Sequence, residues 1–264
     1  MKIGFIGAGN MSTAIVLGLL KNGWAPENIF ISRKHPERKA EWAEKGVEVL
    51  PSNEALVKTA DCVVLAVKPH QADAILREVG GALKNKLVVS IMAGWPYDRL
   101  EKALPATTGF VRAMPNTPLM ASEGMTLISR HARCSEKDFE FAKSIFSGAG
   151  RVAEVEDEVF NAANGISGCG PAFVYAFIEA LADGGVRYGV PRALAYELAA
   201  QTVIGAGRMV QETGRHPGSL KDAVCSPGGA TIEGIFALER GGMRAAVIDA
   251  VGQTVIKTQI MESK

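Results

Sequence analysis

The stretch "KIGFIGAGNMS" (residues 2–12) constrains this chain more than any other: an apolar run of strand length enters Gly7 and Gly9, and helical spacing follows over residues 10–22. A glycine at the first position permits a tight turn, and one at the second lets a large anion approach the backbone. The helix start then offers free N–H groups and the positive end of its dipole. With Ser12 where glycine or alanine is usual, the phrase reads GxGxxS, a form of the dinucleotide fingerprint at the head of a βαβ unit. No residue between Lys2 and Lys21 is charged, which by hydropathy alone also fits a signal sequence or a short span. Gly4, Gly7, Gly9, Asn10, Ser12 and Thr13 dilute the run too heavily for that, and strand, loop and helix account for it better.

The same alternation continues. "NIFIS" precedes helical spacing over 36–45, "DCVVLAVK" precedes 70–79, and "KLVVSIMAG" precedes 96–103. Continuous apolar strands separated by amphipathic helices are the sequence form of a parallel sheet covered on both faces. "TGFVRAMP" (108–115), "GMTLISR" (124–130) and "GRVAEVE" (150–156) read as further strands, with a helix over 135–146. Beyond Val155–Glu158 only helical spacing remains, over 158–166, 170–187, 191–213, 216–224, 229–240 and 243–262. The expected fold is therefore an α/β Rossmann-type dinucleotide-binding domain over 1–155, followed by an all-α domain over 156–264. "PAFVYAFIEALADGGV" and "LAYELAAQTVIGAGRMV" are apolar round most of their circumference, more than a domain of that size can bury within itself. A homodimer with interlocked helices, or a larger homo-oligomer built from dimers, is the expected remedy.

Charge and cysteine usage exclude several partners. Lys and Arg number 29 against 28 Asp and Glu, so the balance points to neither nucleic acid nor an anionic membrane. Cys62, Cys134, Cys169 and Cys225 stand far apart with no CxxC spacing, and the four histidines form no HxxH set. Neither a disulfide framework nor a metal site is expected, and the pattern suits the cytoplasm.

The second strand ends in Ser32, Arg33 and Lys34 rather than in the acid that hydrogen-bonds a ribose 2'-hydroxyl. A hydroxyl and two cations suit a 2'-phosphate, which favours NADPH, with NADH possible; the competing reading makes Arg33 and Lys34 an ordinary solvated loop. Ligands of open α/β sheets lie outside the carboxyl ends of the strands. "AVKPH" (Ala66, Val67, Lys68, Pro69 and His70), "MAG" around Ala93 and "MPNTP" around Asn116 should thus line the nicotinamide. Lys68 is assigned no catalytic role, since a lysine there can equally orient backbone or solvate a loop.

In "CSPGGAT" (225–231), Ser226 before Pro227 reads as an N-cap followed by the first helical residue. Gly229 stands where a Glu or Gln would close a capping box, so the first-turn N–H groups stay bare and can hold an anion.

Taken in order, "IGFIGAGNM", "AVKPH", "MPNTP", "GISGCGPAF", "ALADGGVRYGVPR" and "KDAVCSPGGATIEGI" resemble the pyrroline-5-carboxylate reductases, from residue 3 to about 235. The resemblance implies a Rossmann domain, a helical dimerisation and substrate domain similar to the C-terminal domain of 6-phosphogluconate dehydrogenase, and reduction of a cyclic imine to proline by NAD(P)H. It implies that Gly7, Gly9, Asn10 and Met11 hold pyrophosphate, Ser32, Arg33 and Asn53 the adenosine end, and Ala66, Val67, Lys68 and Asn116 the nicotinamide side. Ser226, Gly228, Gly229, Ala230 and Thr231 would grip the substrate. The chain departs from many relatives in "GCG", where Cys169 replaces a second serine.

The chemistry is consistent with these residues. A β-hydroxyacid dehydrogenase shares the glycine turn but carries a lysine where "GCGPAFV" (168–174) has Val174, so reduction of a ketone lacks its proton donor. An imine nitrogen is basic enough to arrive protonated and needs no strong acid. The hydroxyl of Thr231 is the expected catalytic group, orienting the ring nitrogen or relaying its proton. Two alternatives stand beside this reading: reduction of another small cyclic imine, and a noncatalytic NADP-binding scaffold.

Overall fold

The computed structural model describes residues 1–32 and 39–263. Its contacts group the chain into two compact units, Met1–Cys169 with Thr254–Lys264, and Gly170–Gln253.

In the first unit the chain runs β1 (Ile3–Ile6), α1 (Asn10–Lys21), β2 (Ile29–Ser32), α2 (Lys39–Ala43), β3 (Glu48–Leu50), α3 (Asn53–Thr59), β4 (Cys62–Leu65) and α4 (Pro69–Val79). It continues through β5 (Leu87–Ser90), α5 (Tyr97–Ala103), β6 (Gly109–Pro115), β7 (Gly124–Arg130), α6 (Glu136–Ser147), β8 (Gly150–Glu154) and α7 (Asp157–Ser167). The strands form one sheet in the order β3-β2-β1-β4-β5-β6-β7-β8. Ile3–Ile6 of β1 pairs in parallel with Ile29–Ser32 on one side and with Cys62–Leu65 on the other.

Alternate side chains of these strands enter two separate cores. Ile3 and Phe5 pack with Val16 and Leu19 of α1 and Phe139 and Phe146 of α6, while Ile6 packs with Leu56, Leu76 and Leu100 of α3, α4 and α5. Each such side chain contributes about 1.5–3 kcal/mol on burial, which is why the strands are apolar at every position rather than at every second one.

Three features differ from the sequence reading. β3 and α3, between residues 48 and 59, were not expected; a three-residue strand and a seven-residue helix are too short to show a period. β7 runs antiparallel to β6, because only a short 3-10 turn (Thr117–Ala121) joins them and a parallel return needs a dozen residues or more. The units part at Cys169–Gly170 rather than at 155–156. The strand pattern ends before α7, yet α7 carries Phe160, 1% exposed, and belongs with the sheet.

The end of the chain is tied to this unit by charge. Arg112 on β6 donates to Asp157 at 2.5 Å and to Glu262 at 2.8 Å, and its guanidinium lies 4.4 Å from the centroid of the Phe160 ring. Asn161 donates a further hydrogen bond to Glu262 at 2.6 Å.

In the second unit the chain runs α8 (Gly170–Arg187), α9 (Arg192–Thr213), α10 (Pro217–Ala223), α11 (Ala230–Arg240) and α12 (Met243–Glu262), whose last turns return to the first unit. Pro191, where the helical spacing of 191–213 begins, is the N-cap of α9 rather than its first residue. The only fully buried hydrophobic residues of this unit are Ala182, Ala195 and Ala199, packed with Ile178, Val186 and Val190. Phe236, Tyr188 and Ile248 are between 64% and 84% exposed, which leaves long apolar faces without cover in the single chain.

Candidate active site

A cleft of about 460 Å³ opens at the carboxyl ends of β1, β2 and β4, where the strand order reverses about β1. This is the switch point at which open α/β sheets bind ligands. Gly7 has φ +101°, a conformation that L side chains rarely adopt, and a Cβ there would stand 2.7 Å from the Ala66 carbonyl oxygen. The glycine turn and the β4–α4 connection are therefore packed against each other. Buried Ser12 donates its hydroxyl to the Gly7 carbonyl at 2.6 Å, so a serine at this fingerprint position fastens the turn from within.

The residues present fit a dinucleotide. Gly9 is the N-cap of α1 and supplies no side-chain oxygen to the first-turn N–H groups. A Cβ at Gly9 would meet nothing within 4 Å, so the approach to those groups is open.

Of the residues expected at the cofactor, Gly7, Ser32, Asn53 and Val67 line this cleft. Gly9, Asn10 and Met11 stand at the start of α1, Ala66 and Lys68 in the β4–α4 connection, where Lys68 is exposed, and Pro69 at the first position of α4. Arg33 and Lys34 lie outside the described residues. Ala93 follows β5, half-buried. Asn116 follows β6, where its amide donates to the Ser167 carbonyl and accepts from the Met125 N–H, each at 2.9 Å, and so fastens the sheet to α7.

One wall of the cleft was missing from the sequence reading. Beyond His70, which the "AVKPH" phrase already included, Gln71, Ala74, Ile75 and Glu78 of α4 line it. Gln71, Ala74, Ile75 and Glu78 follow i, i+3, i+4, i+7 spacing, while Ala72, Leu76 and Val79 of the same helix enter the core. A helix with two working faces carries a detectable signal, but the second face is indistinguishable from solvated surface until the fold supplies the cleft. Within the cleft Ser32 donates to Asn53 Oδ1 at 2.6 Å, and Asn53 Nδ2 donates to Glu78 at 3.2 Å.

The second unit carries the "SPGGAT" loop. Its helix α11 begins at Ala230 with Gly229 as N-cap, not with Ser226 as N-cap and Pro227 as first residue. Ser226 to Gly229 form a turn closed by the Gly229 N–H on the Ser226 carbonyl at 3.0 Å, and Gly228 within it has φ +68°. The turn is what moves the helix start three residues on. With Gly229 as the cap, no side chain and no side-chain cap hydrogen bond occupies the first-turn N–H groups, which leaves them open to an anion. Thr231 becomes the second residue of the helix, exposed in the single chain as are Ser226, Gly228 and Ala230.

Comparison with known proteins completes the description. Residues 157–261 match the family model for pyrroline-5-carboxylate reductase dimerisation, and residues 2–94 match that for NADP oxidoreductase, coenzyme F420-dependent. The pyrroline-5-carboxylate reductase of Synechocystis is 40% identical over 267 aligned residues, covering 100% of this chain and 99% of that protein. The Escherichia coli enzyme of the same name is 42% identical over 261 residues, covering 98% and 97%. The crystal structure of the Plasmodium falciparum pyrroline carboxylate reductase, with NADP bound, superposes with a TM-score of 0.91 at 33% identity, covering 99% of this chain and 98% of that one.

Proposed function

The chain belongs to the pyrroline-5-carboxylate reductase family, and we propose that it reduces 1-pyrroline-5-carboxylate to L-proline with NADPH, and less favourably NADH, as donor. The observation that carries the reading is the pair of helix starts capped by glycine, Gly9 before α1 and Gly229 before α11, each leaving backbone N–H groups to an anion. One suits a pyrophosphate, the other a carboxylate.

NADPH, when bound, supplies a hydride from nicotinamide C4 to the imine carbon. The chain's residues hold, orient and exclude water. Gly7, Gly9, Asn10 and Met11 take the pyrophosphate; Ser32, Arg33, Lys34 and Asn53 take the adenosine end; and Ala66, Val67, Lys68, Pro69, Ala93 and Asn116 border the nicotinamide side. Ser226, Gly228, Gly229 and Ala230 anchor the substrate carboxylate. Thr231 directs its hydroxyl at the ring nitrogen and keeps the iminium proton in place. Because an iminium carbon is already electrophilic, positioning supplies most of the rate enhancement.

We assign dinucleotide binding to residues 1–155, and dimerisation and substrate binding to 156–264; α7 packs with the sheet but falls within the matched dimerisation segment, so this functional boundary precedes the division between the compact units. The uncovered apolar faces of the second unit support a homodimer as the working form, and a pure monomer on gel filtration would sink that assignment. The helical stretch Asp157–Arg187 is long and apolar enough by length and composition to cross a membrane, but it lies within the matched dimerisation segment, which favours a protein partner. The four cysteines are all free thiols, in keeping with the cytoplasm.

The decisive assay is oxidation of NADPH on addition of pyrroline-5-carboxylate, with proline identified as product. A noncatalytic scaffold would bind NADPH and show no turnover.

A further inference from the structure

The acid that the dinucleotide fingerprint places at the end of β2 is absent there in sequence, yet a carboxylate stands at the same end of the cleft in space. It is Glu78, on α4. We propose that Glu78 is a positioning residue that reads the 2' position of the adenosine ribose: it sets the hydrogen-bond polarity of Asn53 and Ser32 and disfavours a 2'-phosphate. The proposal rests on the dinucleotide reading of the cleft and concerns its choice between NADPH and NADH.

The positions of the protons fix the polarity of this chain of side chains. A carboxylate only accepts hydrogen bonds, so Asn53 must turn its amide nitrogen to Glu78, at 3.2 Å. The amide oxygen then faces Ser32, and the buried Ser32 hydroxyl must donate to it, at 2.6 Å. The proton of Ser32 is thereby committed, and its lone pairs remain. A ribose 2'-hydroxyl can donate to such a wall. A 2'-phosphate brings acceptors and negative charge to a wall that already presents acceptors and a carboxylate, and among these three side chains only the second N–H of Asn53 remains to receive it. Arg33 and Lys34 are of the opposite sign, so the cofactor preference is a balance of the two, with Glu78 on the side of NADH.

With Glu78→Gln, the amide at position 78 can donate to Asn53 Oδ1, Asn53 can reverse, and Ser32 is free to donate outward. Removal of one unit charge a few ångströms away in a solvent-exposed cleft is a roughly fivefold effect or more. The test is calorimetric titration of 2',5'-ADP and of 5'-ADP into the parent protein, Glu78→Gln, Glu78→Asp and Glu78→Lys, with KM and kcat for NADPH and NADH measured beside it. The expected result is a ratio of affinities moved toward 2',5'-ADP by roughly fivefold in Glu78→Gln and further in Glu78→Lys, with Glu78→Asp close to the parent and the change carried by KM rather than kcat. An unchanged ratio, or equal weakening of both nucleotides, overturns the role of Glu78 while leaving the dinucleotide reading in place. Failure of the parent to bind either nucleotide overturns that reading and this inference with it.

Discussion

Arg112→Met tests the account of how the end of the chain is held. The Arg112 side chain is 6% exposed, against 15% for Glu262 and 33% for Asp157. Removing one partner of a buried ion pair costs about 3–5 kcal/mol, because the remaining charge is left without compensation. The two carboxylates do not share that cost equally. Asp157 reaches water and regains hydration, so its part approaches the ~0–1 kcal/mol of a surface pair. Among the described residues Glu262 keeps the hydrogen bond from Asn161, and being the less exposed of the two carboxylates it carries most of the penalty. Methionine retains an apolar stem against Phe160, which places the expected loss near the lower limit, about 3 kcal/mol. In a protein of this size that corresponds to a fall in Tm of roughly 6–12 °C. Urea unfolding at fixed chain concentration measures it, concentration being held because association contributes to apparent stability. Limited proteolysis should show residues 254–264 newly labile. Adding Glu262→Gln removes the stranded charge and should restore about 1–2 kcal/mol. A loss below about 1 kcal/mol, with no recovery in the double variant, would show that Arg112 is not the clamp described.

Other consequences are equally direct. Gly7→Ala places a Cβ 2.7 Å from the Ala66 carbonyl oxygen at φ +101° and should cost roughly 1–3 kcal/mol in thermal unfolding. Gly9→Ala meets open space and should melt within about 1 kcal/mol of the parent while binding NADPH at least roughly tenfold more weakly; equal behaviour of the two variants would refute the distinction. Thr231→Ala should lower kcat by roughly ten- to a hundredfold, with partial rescue by Thr231→Ser, less than a dedicated general acid would contribute; unchanged turnover removes Thr231 from the mechanism. Burial lowers the pKa of His131, outweighing the Glu101 carboxylate 3.8 Å away that would raise it. The unfolded chain therefore takes the proton first, and the contribution to stability is present above about pH 6.5 and lost as pH falls below it. His131→Phe, which keeps the stack on Phe110, should flatten the acid side of the stability–pH curve; a curve parallel to the parent's would count against the assignment.

The residues that announce themselves in the sequence are those whose role is local. Ile3–Ile6 and Cys62–Leu65 read as buried parallel strands because a sheet covered on both faces requires unbroken apolar runs. Gly7 and Gly9 read as an anion turn because backbone access at a helix start depends on neighbouring residues alone. The uncovered helical half was legible for the same reason: periodicity reports how much of each circumference is apolar. β3 and α3 escaped because two short segments carry no period, and the start of α11 was misplaced because capping depends on the backbone dihedrals of Ser226 to Gly229, which composition does not report. Tertiary structure alone decided the rest. It turned the second face of α4 into a cleft wall, brought Glu78 to Asn53 and Ser32, and closed Arg112 on Glu262 across 150 residues of chain. Charged and polar side chains carry no periodic record of partners so distant, and their roles exist only once the packing of apolar strands and helices has brought them together.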